Sequence, residues 1–234
     1  MTQQAPKLGH IENWIFDLDN TLYRADANFF SQIDKKMTAF ISRYLALQPD
    51  KARALQKEYL VDYGTSLSGL MAVHDMDPAE FLDYVHDVDM SMLAPDPLLR
   101  VHIQALPGRK FIYTNGSRGH AKNVASHLGL FDLFDGSFGI EDADYIPKPK
   151  RAPYEKFCSV FDIDPNKAIF FEDNIRNLSA PKDMGMHTVL VTSDEDFSNE
   201  PAAVRPAGAL ERANFIDDIT NDLPRWLGDV LKDL

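Results

Sequence analysis

The stretch Trp14-Ile15-Phe16-Asp17-Leu18-Asp19-Asn20-Thr21-Leu22-Tyr23 decides how this chain is read. An apolar run over residues 11–16 predicts a buried strand, and it stops abruptly at two carboxylates. Asp17 and Asp19 stand at i and i+2, which in extended backbone puts both side chains on one side of the chain. Like charges crowded at the end of a buried strand are unfavourable without a compensating cation. The pair therefore points either to a metal site or to a coupled acid–base pair. Against this stands a plainer reading, a solvated strand end followed by the turn residues Asn20 and Thr21.

Beyond Tyr23 the pattern turns helical. Phe29, Phe30, Ile33, Met37, Phe40, Ile41 and Tyr44 recur at spacings of three and four. Pro49 suits the first turn of a second helix, which Ala54, Leu55, Tyr59 and Leu60 continue. Tyr63-Gly64-Thr65-Ser66 breaks it, with Ser66 as an N-cap. Asp77-Pro78-Ala79-Glu80 reads as a capped helix start, and Pro95-Asp96-Pro97 closes the region. Residues 22–92 are thus expected to form an all-helical insertion.

The remainder alternates. Strands are expected at 110–113, 168–171 and 187–191, and helices from 117 to about 128, over 150–161, and from about 175 to 184, with Gly185 as a C-cap. Residues 194–208 read as a surface loop. A last helix is expected over 215–231, anchored by Trp226 and Leu227. Such alternation predicts an α/β fold: a Rossmann-like parallel sheet covered on both faces. The expected core comprises residues 1–21 and 93–234, with 22–92 a separate helical subdomain.

Composition narrows the function. The chain has 234 residues and a formal net charge of −12, so a nucleic acid polymer is an unsuitable partner. No apolar run is long enough to cross a membrane, and residues 1–10 lack the pattern of a secretion signal. The single cysteine, Cys158, has apolar neighbours and is expected to be a buried, unreactive thiol. These features fit the cytoplasm. They set no oligomeric state.

In open parallel sheets, ligands bind beyond the carboxyl ends of the strands. Three of the expected strands end in chemically capable residues: Asp17-Leu18-Asp19, Thr114-Asn115-Gly116-Ser117 and Glu172-Asp173-Asn174. Lys148 lies between Pro147 and Pro149, which restrict its backbone. Singly, each has an ordinary explanation: a turn, a helix cap, a solvated lysine. Their order along the chain is far more specific than any one of them.

That order resembles the haloacid dehalogenase (HAD) superfamily of phosphohydrolases. Asp17 to Thr21 resembles its first motif, Thr114 its second, Lys148 its third and Glu172-Asp173 its fourth; the helical insertion resembles its type 1 cap. Asp-Leu-Asp-Asn-Thr-Leu-Tyr, Tyr63-Gly64-Thr65 with Gly69-Leu70-Met71, and Glu172-Asp173-Asn174 with Arg176-Asn177-Leu178 look most like pyrimidine 5′-nucleotidases. Many relatives carry Gly where Asn20 stands, Gly-Asp-Ser where Glu172-Asp173-Asn174 stands, and an acid where Asn177 stands.

The resemblance implies a Mg²⁺-dependent phosphomonoesterase acting on a small phosphorylated metabolite, with UMP or CMP preferred. Asp17 is then the nucleophile and Asp19 the acid and base. Thr114 and the Asn115 backbone N–H bind the phosphoryl group, and Lys148 neutralises charge. Asp17, the Asp19 carbonyl and Asp173 are the implied metal ligands, with Glu172 further out. Lys148 and the metal are expected to keep Asp17 ionised while Asp19 carries a proton. Tyr63 is a candidate stacking partner for a pyrimidine, and Tyr23 and Arg24 lie where the chain passes into the cap. Arg118 and Arg176 are candidate sources of positive potential. His74, His86 and His102 receive no role. Alternatives are a phosphatase for phosphoglycolate, a sugar phosphate or pyridoxal phosphate, then a phosphomutase, a 2-haloacid dehalogenase and a non-enzymatic binding module. Dehalogenases of this family lack an acid at the Asp19 position, which disfavours that reading.

Overall fold

Strand β1 (Asn13–Phe16) is buried at every position, and its side chains alternate between two apolar layers. Trp14 and Phe16 join one cluster with Ile112, Ile169, Phe171 and Val189. Ile15 joins the other with Phe111, Tyr113, Phe170 and Leu190. A strand apolar on both faces belongs in the middle of a covered parallel sheet, and β1 lies there. It pairs in parallel with β2 (Arg109–Tyr113) on one side and β4 (Ala168–Glu172) on the other. Phe16 and Phe171, register partners, stack with centroids 4.6 Å apart. The Trp14 indole N–H donates to the Pro107 carbonyl at 2.7 Å, which lets a buried tryptophan keep its polar atom paired.

The computed structural model describes residues 8–195, 197, 205–209 and 211–234. The sheet continues through β3 (Gly136–Phe138), β5 (His187–Val191) and β6 (Asp218–Thr220), in the order β3-β2-β1-β4-β5-β6, all parallel. Order reverses between β1 and β4, so the crevice at a topological switch point opens beyond Phe16 and Glu172. That is where the sequence concentrates its carboxylates.

Between β1 and β2 lie α1 (Phe30–Tyr44), α2 (Pro49–Tyr63), α3 (Ser66–His74), α4 (Pro78–Val85) and α5 (Pro97–Ala105). The first four pack on one another as a helical insertion in the chain. Asp77 caps α4 by accepting from the Ala79 N–H at 2.9 Å. The cap of α3 is Thr65, one residue before the expected Ser66: its hydroxyl accepts from Ser68 N–H at 3.0 Å, while the Ser66 hydroxyl turns to the Gln56 carbonyl at 3.1 Å. Helices α2 and α3 touch where Gly69 meets Tyr59, and a Cβ there would overlap the base of the Tyr59 ring. Gly69→Ala should therefore destabilise the protein by about 1–3 kcal/mol through overpacking. A denaturation midpoint equal to wild type would show that the two helices separate freely.

The core helices are α6 (Arg118–His127), α7 (Arg151–Phe161), α8 (Ser179–Met184) and α9 (Leu223–Val230). Several expectations need correction. Residues 175–178 form a 3-10 turn, capped by the Asn174 side chain, and only then α8. Gly185 does end α8, with φ +102°. The expected last helix is shorter, because 218–220 is the edge strand β6; Trp226 and Leu227 remain on the helix and pack on the core. Strand β3 and helix α5 were not expected. Most of the expected loop at 194–208 lies outside the described residues. Cys158 is buried, and burial pushes its thiol up to about 11. Among the described residues no helix is long and apolar enough to cross a membrane.

Candidate active site

Asp17 follows directly on β1 and extends its ladder, its N–H donating to the Phe171 carbonyl at 2.9 Å. This sets its carboxylate beside Glu172, the last residue of β4. Both are buried, and so is Lys148. The Lys148 ammonium donates to Asp17 Oδ1 at 2.7 Å, to Glu172 Oε2 at 2.6 Å and to the Tyr113 carbonyl at 3.1 Å. Its three protons are thus assigned. Residues 131 and 24 positions away along the chain are joined by one cation.

Asn115 holds the lysine in place. Its Oδ1 accepts from the Lys148 backbone N–H at 2.9 Å, and its Nδ2 donates to the Lys148 carbonyl at 3.3 Å. Thr114, buried at the end of β2, accepts from the Gly116 N–H at 2.9 Å through its hydroxyl. Asn20 takes φ +60°, a conformation open to glycine and tolerated by asparagine. Its side chain donates to Asp173 Oδ2 at 3.2 Å.

Three carboxylates, Asp17, Glu172 and Asp173, each offer an oxygen within 4.8 Å of the others. One ammonium faces them. Burial and the neighbouring Glu172 charge push Asp17 up to about 8, although Lys148 acts against this. Burial, then the charges of Glu172 and Asp17, push Asp173 upward too. Such an excess of hard oxygen donors fits a divalent cation such as Mg²⁺. Both Glu172 oxygens are already engaged, by Lys148 and by the Asn174 N–H at 3.1 Å, so Asp17 and Asp173 are the better side-chain ligands.

The Asp19 carboxylate is not in this group. It turns to the helical insertion and α6: Tyr23 Oη donates to its Oδ1 at 2.7 Å, and His120 Nε2 lies 2.9 Å from the same oxygen. Burial alone would raise Asp19; the charge and hydrogen bond of His120, with that of Tyr23, more than offset it and hold the carboxyl below its ordinary value. Without a metal, Asp17 favours its proton and Asp19 its charge, the inverse of the metal-bound arrangement expected from the sequence. The reason is crowding by Glu172 at one and paired donors at the other.

This inversion has a thermodynamic consequence. Asp17 binds a proton more tightly folded than unfolded, so stability declines as pH rises from its unfolded value of 3.8 to about 8. Asp173 adds in the same direction. In EDTA, the melting temperature should fall between pH 5 and 8, and excess Mg²⁺ should flatten the decline. A metal-free melting temperature that rises across that window would contradict the arrangement.

A cavity of about 360 Å³ opens over these groups, and Asp17, Asp19, Thr114, Lys148 and Asp173 are part of its lining. Its lining also includes the apolar Phe30, Ile33, Met37, Leu60, Phe81 and Val85 of the insertion, with the polar Asp34, Gln56 and Lys57. Arg176 also lines it, whereas Arg118 pairs with Asp142 at 3.3 Å elsewhere. Arg24 is exposed and pairs with Asp26 at 2.8 Å. Tyr63, expected at the ligand, does not line this cavity; its ring sits edge-on to Tyr59 with centroids 5.7 Å apart. His86, given no role, does line it and stacks on His120. The signal for His120 was its place in the first turn of the helix that follows the Thr114 motif.

Residues 11–185 match the family of haloacid dehalogenase-like hydrolases. Phosphate metabolism protein 8 of Saccharomyces cerevisiae is 28% identical over 227 residues, covering 88% of this chain and 70% of its own. Validoxylamine A 7′-phosphate phosphatase of Streptomyces hygroscopicus subsp. limoneus is 25% identical over 78% of this chain and 86% of its own. Among solved structures, the HAD phosphatase of Thermococcus onnurineus superposes with a TM-score of 0.60 at 18% identity, covering 95% of this chain and 97% of that one. L-2-haloacid dehalogenase of Xanthobacter autotrophicus superposes with a TM-score of 0.55 at 16% identity, covering 95% and 97%.

Proposed function

As the chain belongs to the haloacid dehalogenase-like hydrolases, we propose that it is a Mg²⁺-dependent phosphomonoesterase working through an aspartyl-phosphate. The observation that carries this is the buried Lys148 ammonium bonded to Asp17 at 2.7 Å, in the lining of a cavity that also holds an acid two residues on, Asp19. The family's phosphatases need that second acid for an alcohol leaving group; its dehalogenases do without one. Relatives named as phosphatases favour the same reading.

Lys148 grips Asp17 Oδ1, and among the described residues Oδ2 has only a long 3.5 Å contact from the Thr21 hydroxyl. Oδ2 is the attacking oxygen. As its bond to phosphorus forms, the ester P–O bond breaks, and the Asp19 proton passes to the leaving oxygen. The substrate's negative charge is what raises Asp19 enough to hold that proton on binding. Thr114 donates its hydroxyl, and Asn115 its backbone N–H, to phosphoryl oxygens, while Lys148 balances charge. Asp19 then takes a proton from water, whose oxygen displaces Asp17 from phosphorus. A Mg²⁺ held by Asp17, Asp173 and the Asp19 carbonyl would lower the repulsion between carboxylate and phosphate.

The cavity favours a small substrate, given its apolar lining beside Asp34, Gln56 and Lys57. Pyrimidine nucleoside 5′-monophosphates, UMP and CMP, meet this description, and the motif resemblance points to them. Phosphate release from UMP, CMP, phosphoglycolate, sugar phosphates and pyridoxal phosphate tests it. The nucleotides should give the highest kcat/KM, EDTA should silence the enzyme, and Mg²⁺ should restore it. Preference for another ester would move the substrate assignment, and activity that survives exhaustive chelation would remove the metal.

A further inference from the structure

His120 is 1% exposed, and its ring has one polar partner among the described residues, Asp19; Nδ1 is buried with none. A buried imidazole with a single hydrogen bond has that bond as its reason to be polar. The bond falls on Asp19 Oδ1, the oxygen that also accepts from Tyr23, and the other oxygen accepts none among the described residues. Two donors on one oxygen fix the carboxylate's rotation and leave Oδ2 as the oxygen that can carry and deliver a proton.

The ring's orientation is set in turn by the helical insertion. Phe29, at the start of α1, lies nearly parallel to it (6°, centroids 6.2 Å apart), and His86, at the end of α4, stacks on it (17°, 4.3 Å). His86 is itself tied to the core through Ser117 Oγ, 3.0 Å from its Nδ1. The first and last helices of the insertion thus both press on a histidine of α6.

We propose that His120 is a positioning residue that aims the proton-bearing oxygen of Asp19, and that Phe29 and His86 make this aim depend on the seated insertion. The proposal rests on the reading of Asp19 as general acid. Loss of aim should cost rate only where the leaving group needs a proton.

The test compares kcat/KM for an alkyl phosphomonoester and for dinitrophenyl phosphate, whose leaving group departs unprotonated. His120→Asn draws the donor back from Asp19 and should lower the alkyl value on the order of 100-fold, and the dinitrophenyl value less than about threefold. His120→Gln, whose amide reaches the Nε2 position, should recover about tenfold of the alkyl loss. His86→Ala should show the same selectivity with a loss of about tenfold, and it carries the test if His120→Asn does not fold. Equal losses on both esters, or no alkyl loss, would overturn the proposal. Asp19→Asn on the same pair separates the two levels. If it shows no dependence on leaving group, the general-acid reading fails and takes the proposal with it; if it does and the folded histidine variants do not, only the positioning role falls.

Discussion

Asp17→Asn should fold and bind metal weakly, but release phosphate on the order of 10⁴-fold more slowly than wild type or worse. An amide oxygen is a poor nucleophile toward phosphorus, and no neighbouring group can replace it: Glu172 is held by Lys148 and Asn174, and Asp19 faces Tyr23 and His120. The fold should survive because Lys148 keeps its 2.6 Å bond to Glu172. In EDTA near pH 8 the variant should melt no lower than wild type, since it lacks a carboxylate that burial and Glu172 disfavour as an anion. A rate within about tenfold of wild type would deny Asp17 its role.

The second large effect is on stability as well as rate. Lys148→Met removes the only ammonium bonded to Asp17 and Glu172 among the described residues, both of them buried. Breaking a buried ion pair from one side costs about 3–5 kcal/mol, because a charge is left without compensation. In EDTA the denaturation midpoint should drop accordingly, and turnover should vanish even with Mg²⁺. Adding Glu172→Gln should return much of the stability and none of the activity, because it removes the stranded charge without supplying a cation to the phosphoryl group. A Lys148→Met protein as stable as wild type in EDTA would mean that the carboxylates do not share the lysine as described.

The parts of this site that could be read from sequence are those carried by local chemistry. Asp17 and Asp19 announce themselves because a strand buried on both faces ends in charge. Lys148 stands out between prolines, and Thr114 and Glu172-Asp173 close the other strands. Their meeting at the switch point follows from the strand order β3-β2-β1-β4-β5-β6, which the alternation of strands and helices does not itself fix. What was missed depends on contacts between distant segments. His120 joins Asp19 across 101 residues, and its place in the first turn of α6 is a weak local sign that does not reveal this partner. Tyr63 was expected at the ligand because it borders a glycine break, yet the packing of α2 on α3 turns its ring to Tyr59.

Protonation could not be read either. Whether Asp17 or Asp19 holds a proton depends on Glu172, Tyr23 and His120, and only the three-dimensional arrangement supplies them. The short strands β3 and β6 escaped because three residues show no periodicity. In β6, the polar Asp218 and Thr220 also masked an edge strand within a segment that otherwise reads as helix.

Covalent phosphorylation of Asp17 is tested by acid quench within milliseconds of mixing enzyme, Mg²⁺ and a phosphomonoester carrying a radiolabelled phosphoryl group. The label should accumulate on the peptide containing Asp17, in proportion to the early burst of alcohol, and Asp17→Asn should take up none. A burst of alcohol with no label on that peptide, or label on another residue, would contradict it.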